Sequence, residues 1–486
     1  MVSCSRLIEI RKVPHVHFIS VSCSYQSKVK IGIVLTRESW HPYCTAHSTM
    51  ATFHHSSSWA MSALLLCKLW IISMVVAEGP SESSRTSSLP SFKVMEILGR
   101  AIDLENAGHK VCHLQVGQPK SGAPKKVLKS AELHLRTNRL GYTNSQGIEP
   151  LRKRIARNYA ERYLKQEGGT EVPLQVNPDN IIVTTGSSGA FLLTFLAAFN
   201  VGDVVCIASS GYPCYRNILN TLGCDVVSVP VNDQFKVTAV ELSAVVKRLA
   251  RQRKKVKGLI LSSPSNPTGA MLSPAELKAL CEYCDKNGIT FISDEIYHHI
   301  SYGQSEASAL SFSDNVVVIN SFSKYYSMTG WRLGWMVAPA SLVPALNRLS
   351  QNFYLNAPTL SQLAAIEAFD CREELDKHVA TYAVNRAVLL AALKDLGLQK
   401  VSPADGAFYI YADVSEDLED AVTFARDLLE QAHVAVTPGI DFEDPASGLG
   451  HKRLRFSYCG ATEEITEAMK RLKTFWATYP GRKNKN

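Results

Sequence analysis

Residues 273–297 read SPAELKALCEYCDKNGITFISDEIY. Ser273 and Glu276 stand at capping-box spacing with a proline between them, which opens a helix running to about Asn287. Ile289–Ile292 follows as a short apolar run and ends beside Asp294. A helix leading into an apolar strand that ends on an acid is one unit of an α/β sheet. Working outward, the same alternation repeats. Ile181–Thr185, Val204–Ala208, Val226–Val229, Val256–Leu261, Val316–Ile319 and Leu333–Val337 read as strands, with Phe191–Phe199 and Val240–Leu249 as helices. Upstream, helices follow Pro90 and begin near Pro150. Apolar strands separated by helices predict a mostly parallel sheet covered on both faces. After about residue 350 the texture changes. A long helix (Arg372–Leu396), strands Ala407–Tyr411 and Leu454–Tyr458, and helices Ala421–Gln431 and from Glu463 predict a second, smaller α/β domain.

The chain has 486 residues, 46% apolar and 20% charged, enough for two domains with a sizeable core. Its formal charge is +8, and residues 1–85 hold eight basic against four acidic residues, so half of that excess lies in this leader. A balance this mild suits phosphate and carboxylate ligands and by itself is no sign of nucleic-acid binding; no nucleic-acid partner is expected. Twelve scattered cysteines are not a disulfide framework and point to a reducing compartment. Cys281 and Cys284 read as packed thiols on a helix, since no second ligand pair accompanies them.

Residues 1–85 are rich in Ser and His and show no sustained strand or helix period, which predicts a disordered or targeting leader. Its histidines close no metal-ligand pattern. Within it, Ala60–Ala77 is apolar apart from Lys68, whose central charge disfavours a membrane span. The cytoplasm is the expected location, with mitochondria or another organelle as the alternative. The expected divisions are the leader, an N-terminal arm at 86–135 that joins the small domain, a large domain at 136–350, the small domain at 351–480 and a basic tail at 481–486.

Four segments fall just past predicted strand ends, where open parallel sheets place their ligands: Gly186-Ser-Ser-Gly189, Ser265-Asn-Pro-Thr-Gly269, Asp294-Glu-Ile-Tyr297 and Ser321-Phe-Ser-Lys324. Singly they are turns, loops and solvated strand ends. Together in this order, with Arg332 after the lysine and Arg455 near the end, they resemble the class I/II (fold-type I) aminotransferases over about Ser88 to Thr478.

That resemblance implies a large domain with a mostly parallel seven-stranded sheet, a smaller α/β domain, and pyridoxal 5′-phosphate as cofactor. It makes Lys324 the residue that carries the cofactor as a Schiff base and later moves a proton. It places Asp294 against the ring nitrogen, Asn266 and Tyr297 at the ring's phenolate oxygen, and Tyr212 on the ring face. Ser187, Ser188, Ser321 and Arg332 are implied at the phosphate, joined by Tyr142 from a neighbouring subunit, so a homodimer is expected. Gly117 and Arg455 are implied at the substrate carboxylate. The chain has Ser209-Ser-Gly-Tyr-Pro213 where many relatives have Asp-Pro-Gly-Tyr-Pro, a change that leaves Tyr212 in place.

The expected reaction transfers the amino group of an L-amino acid to a 2-oxo acid. Acidic-substrate members of the nearest subgroup carry a lysine where this chain has Ser188, which weakens an aspartate-specific reading. Phe353, Tyr354 and Leu355 are candidate apolar neighbours for a neutral or aromatic side chain, with core packing as an equal explanation. The nearest rival is a lyase on the same scaffold, such as C–S β-elimination. A cofactor-sensing transcription regulator is a remoter one, since it needs a winged-helix domain that the leader does not supply.

Overall fold

In the computed structural model, side chains along the central strands alternate between two separate apolar cores. Ile181 and Val183 enter one core and Ile182 the other; Val204 and Cys206 oppose Val205 and Ile207; Val318 opposes Val317 and Ile319. A strand packed on both faces has no polar side to show, so its sequence reads as an unbroken apolar run. The structure describes residues 82–87 and 89–483, and the backbone of three strand segments at 6–13, 16–23 and 29–36.

Contacts divide the chain into Met1–Ser81 and Glu82–Asn486. In the first unit, Arg6–Val13, Val16–Cys23 and Val29–Thr36 form an antiparallel sheet in chain order. This corrects the expectation of no strand period there. Serines, histidines and lysines interrupt the apolar alternation of these segments, so the pattern carried little signal. The Ala60–Ala77 stretch and the histidines at 15, 41, 47, 54 and 55 lie outside the described residues. Among the described residues no helix is long and apolar enough to cross a membrane, and no group of three or more metal-ligating side chains is assembled.

The second unit is built on seven strands: β1 (Ile181–Thr184), β2 (Val204–Ala208), β3 (Asp225–Val229), β4 (Val256–Ser262), β5 (Thr290–Asp294), β6 (Val317–Ser321) and β7 (Gly334–Val337). Their spatial order is β1-β7-β6-β5-β4-β2-β3, parallel except for β7, which is antiparallel to both neighbours. Because β7 alone runs backwards, its first residue, Gly334, pairs with Thr184 and Ser321 at the ends of β1 and β6. Thr184, Gly334 and Ser321 therefore share one sheet edge, which the register carries on to Asp294 and Ser262.

The helix expected after Ser273 runs from Pro274 to Asn287. Its capping box is formed: Ser273 N–H donates to Glu276 Oε2 at 2.7 Å, and Glu276 N–H donates back to Ser273 Oγ at 3.3 Å. Cys281 and Cys284 are buried on it as free thiols.

Beyond the large sheet, β8 (Tyr409–Asp413), β9 (Thr437–Pro438) and β10 (Arg453–Ser457) make a three-stranded sheet with β10 in the middle. The chain preceding the large sheet is knitted to this end: Cys112–His113 pairs in parallel with Val434–Ala435, and Ser457 N–H donates to the Leu114 carbonyl at 2.8 Å. Helix α1 (Lys93–Asn106) lacks a side-chain cap at Phe92. Instead Asp441 accepts from the N–H groups of Lys93 and Val94 at 3.1 and 2.9 Å. Among the elements that escaped the sequence reading are the helices Lys125–Thr137, Pro213–Thr221, Val343–Phe353 and Thr359–Ala365, and the hairpin Leu164–Glu167 with Thr170–Pro173.

Candidate active site

At this sheet edge, beside the end of β5, lies a cavity of about 400 Å³ in which Asp294, Lys324, Asn266, Tyr297 and Arg455 meet. Asp294, the last residue of β5, is 3% exposed. It accepts from the Tyr215 phenol and, at 3.1 Å, from the Ile296 N–H. Both donors are neutral, so burial dominates and pushes the carboxyl up to about 6, against the lowering effect of the Tyr215 bond. A buried carboxylate on a cavity wall, stabilised only by neutral donors, is suited to a cationic ligand group.

Lys324 lies three residues past β6, and its Nζ donates to the Gly117 carbonyl at 2.6 Å. Desolvation brings its ammonium down to about 8, and the positive charges of Arg455 and Arg332 act in the same direction. The ammonium thus gives up its proton only slightly above physiological pH, leaving a usable fraction of the neutral amine, the form that attacks an aldehyde.

Arg455 projects from β10 and is 3% exposed. Its guanidinium carbon lies 4.5 Å from the ring centroids of Tyr409 and Phe442. One Nη donates to Asn266 Oδ1 at 2.8 Å and the other to the Gln115 carbonyl. The Tyr297 and Tyr409 hydroxyls meet at 2.8 Å, and burial holds the Tyr297 phenol well above its ordinary range.

At the other end of the cavity stands helix α2 (Gly186–Ala198), whose first turn presents Ser187 and Ser188. Thr185 makes no side-chain cap, so first-turn N–H groups remain for an anion. Arg332 adopts a left-handed backbone (φ 50°) that folds its guanidinium over Gly186. A Cβ on Gly186 would sit 2.5 Å from Arg332 Nη2, so only glycine leaves the fork its place. Tyr212 lines the wall between the two ends, edge-on to Tyr215 and Phe92 at centroid distances of 5.6 and 6.0 Å.

Two residues expected at the site are not among those lining the cavity. Ser321 is buried in the turn, its Oγ engaged by the Leu333 carbonyl at 3.0 Å and the Ser323 hydroxyl at 2.9 Å; Ser323 faces the cavity instead. Tyr142 is 86% exposed. Phe353, Tyr354 and Leu355, at and just past the end of the helix Val343–Phe353, are likewise not among the residues lining this cavity. Its apolar wall comes from Phe92, Val94, Met95, Val116 and Ile296. Tyr215 and Tyr409 were missed. Tyr215 had a usable signal: it stands in the first turn of the helix that Pro213 opens, directly after the cap residue Tyr212, where the two rings can meet.

The set matches a planar ligand with an anionic tail. Arg332 and the α2 N-terminus suit a phosphate, Asp294 a protonated ring nitrogen, Asn266 and Tyr297 a ring oxygen, and Lys324 an aldehyde. This is the outline of pyridoxal 5′-phosphate.

Comparison with known proteins agrees. Residues 109–472 match the family described as aminotransferase class I and II. The chain is 42% identical to a valine–pyruvate aminotransferase of Mycobacterium tuberculosis, over 79% of this chain and 96% of that protein. It is 31% identical to an aspartate aminotransferase of Thermotoga maritima, over 81% and 98%. Among solved structures, an aminotransferase from M. tuberculosis superimposes with a TM-score of 0.76 at 40% identity, covering 82% of this chain and all of that one. The aspartate aminotransferase of Thermus thermophilus with maleate superimposes at 0.73 with 28% identity, over 82% and 100%. With the match running from before Gly117 to beyond Arg455, the chain belongs to the class I and II aminotransferases, transaminases that in general depend on pyridoxal phosphate.

Proposed function

We propose that this transaminase moves the amino group of a neutral L-amino acid to a 2-oxo acid, with pyridoxal phosphate held by Lys324. The observation that carries the reading is the meeting of Lys324, Asp294 and Arg455 on one cavity that also carries apolar surface from Phe92, Val94, Met95, Val116 and Ile296. Bound there, the cofactor supplies an aldehyde for amine exchange and a ring that withdraws electrons from the substrate Cα.

The protein's own groups do the rest. Asp294 keeps the ring nitrogen charged. Arg332, Ser187 and the α2 N-terminus hold the phosphate, while Tyr212 covers the ring face. Ser321 supports this end through Ser323 and the Leu333 carbonyl. Asn266 and Tyr297 donate to the ring oxygen. Arg455 grips the substrate carboxylate, and Gly117 closes over it. Lys324, freed by the substrate amine, moves the Cα proton.

Every cation lining the cavity (Lys324, Arg332, Arg455) has a task in this scheme. None remains for a side-chain carboxylate, and Phe92, Val94 and Met95 offer apolar surface; the valine specificity in the name of the M. tuberculosis relative points the same way. We further propose a homodimer in which the exposed Tyr142 serves the partner's phosphate, and a cytoplasmic location in keeping with the free thiols. A panel of L-amino acids with pyruvate and 2-oxoglutarate as acceptors, read by keto-acid formation, tests the reading. Turnover is expected with valine, leucine or alanine as donor; aspartate as the sole good donor would overturn it.

A further inference from the structure

Tyr409, the first residue of β8, touches three of the groups just assigned. Its hydroxyl meets that of Tyr297 at 2.8 Å. Its ring lies under the Arg455 guanidinium, 4.5 Å from centroid to central carbon. The same hydroxyl occupies the place of a Cβ on Gly117, 1.7 Å from where that atom would be built, so residue 117 must be glycine for Tyr409 to stand here. Gly117 in turn accepts from Lys324 through its carbonyl.

Two phenols at this distance share one hydrogen bond, in which one donates and the other keeps its proton for another acceptor. Burial lifts both out of the ordinary phenol range, Tyr409 to about 12, so both are protonated at neutral pH. If Tyr297 is to donate to a cofactor oxygen, the donor within the pair has to be Tyr409. Among the described residues the Tyr409 hydroxyl is hydrogen-bonded to Tyr297 alone, so no other acceptor there competes for its proton.

We propose that Tyr409 is a positioning residue of this active site. Its hydroxyl donates to Tyr297 and so commits the Tyr297 proton to the ring oxygen of the cofactor, while its ring seats the Arg455 guanidinium against the substrate carboxylate. The two parts of the side chain thus have separable tasks, one toward the cofactor and one toward the substrate. The inference rests on the proposed function above.

The test uses the full-length enzyme loaded with pyridoxal phosphate, in wild-type, Tyr409→Phe, Tyr409→Leu, Tyr297→Phe and Tyr297→Phe/Tyr409→Phe forms. It reads the pH midpoint of the visible absorbance, the affinity of the apoprotein for the cofactor, and kcat and KM separately. A ring oxygen that loses part of its donor carries its negative charge less well, so the midpoint should rise in Tyr409→Phe by roughly half a unit or more. Its kcat should fall about tenfold with KM nearly unchanged, because the ring still supports Arg455. Tyr409→Leu should add a rise in KM of about tenfold, from the lost cation–π contact.

Tyr409→Phe should cause no further midpoint shift once Tyr297 is phenylalanine, because the hydroxyl acts through Tyr297. An unchanged midpoint in Tyr409→Phe, or an equal shift with and without the Tyr297 hydroxyl, would overturn the proposal. Should Tyr409→Phe fail to fold, Gly117→Ala displaces the same hydroxyl from the opposite side and must reproduce the shift; an unmoved midpoint there overturns the proposal equally. A wild-type protein that takes up no cofactor fails the proposed function itself, before any variant is compared.

Discussion

The amine of Lys324 donates to the carbonyl of Gly117 across 207 residues of sequence, at 2.6 Å. A lysine held this way has one backbone acceptor and little water, and desolvation sets its value at about 8. Attack on an aldehyde requires the neutral amine. Uptake of pyridoxal phosphate by the apoprotein should therefore accelerate as pH rises through about 8 and level off above it, in stopped-flow absorbance. Borohydride should then trap the adduct on Lys324. Lys324→Ala should bind cofactor without covalent capture and lose turnover by several orders of magnitude; a reduced adduct mapped by mass spectrometry to a different lysine would refute the assignment.

Asp294 links site and stability. Its folded value of about 6 lies above the ordinary 3.8, so the folded apoprotein binds this proton more tightly than the unfolded chain does. The contribution is fully present below about pH 4 and is lost as pH rises to about 6. By pH 8 the folded apoprotein has forfeited on the order of 3 kcal/mol. Asp294→Asn should raise the urea midpoint of the apoprotein at pH 8 and leave it unmoved at pH 4, while turnover collapses. An equal shift at both pH values would show that burial of the charge is not the cause.

Such a carboxylate was legible from sequence because it ends an apolar run, as Lys324 does after β6; strand ends expose chemistry at predictable places. The direction of β7 was not legible. Gly334–Val337 is as apolar as its parallel neighbours, and apolarity reports burial without reporting polarity of the chain. Tyr409 was hidden for the same reason: every side chain of β8 from Tyr409 to Ala412 is buried, so no alternation singles out the face that reaches the cavity. Tyr142 could be named only through the family resemblance, since a single chain leaves it exposed.

If Tyr142 acts across a dimer, lesions in Lys324 and Tyr142 should complement. Mixing Lys324→Ala chains with Tyr142→Phe chains puts both lesions in one site of the mixed dimer and leaves the other intact. Recovered activity approaching half that of the wild-type dimer is expected. Verified mixed dimers with no recovery would assign Tyr142 to its own subunit.

The family match begins at residue 109, and the contacts of Met1–Ser81 form a unit of their own. A chain begun at Glu82 should fold, retain cofactor and turn over within twofold of the full chain. Aggregation or loss of cofactor, followed by gel filtration and absorbance, would show that the first 81 residues are needed by the enzyme body.

The bond from Arg455 to the Gln115 carbonyl spans 340 residues, and the Cys112–His113 pairing waits for Val434–Ala435 in the same way. On a ribosome adding roughly 5–20 residues per second, Gln115 emerges half a minute or so before its partner is even translated. The seven-stranded sheet is already synthesised by Val337, well before Arg455. Under the proposed scheme, a prematurely terminated chain would thus carry Lys324, Asp294 and Arg332 with no grip for an amino acid, and the nascent enzyme should stay silent until Arg455 arrives.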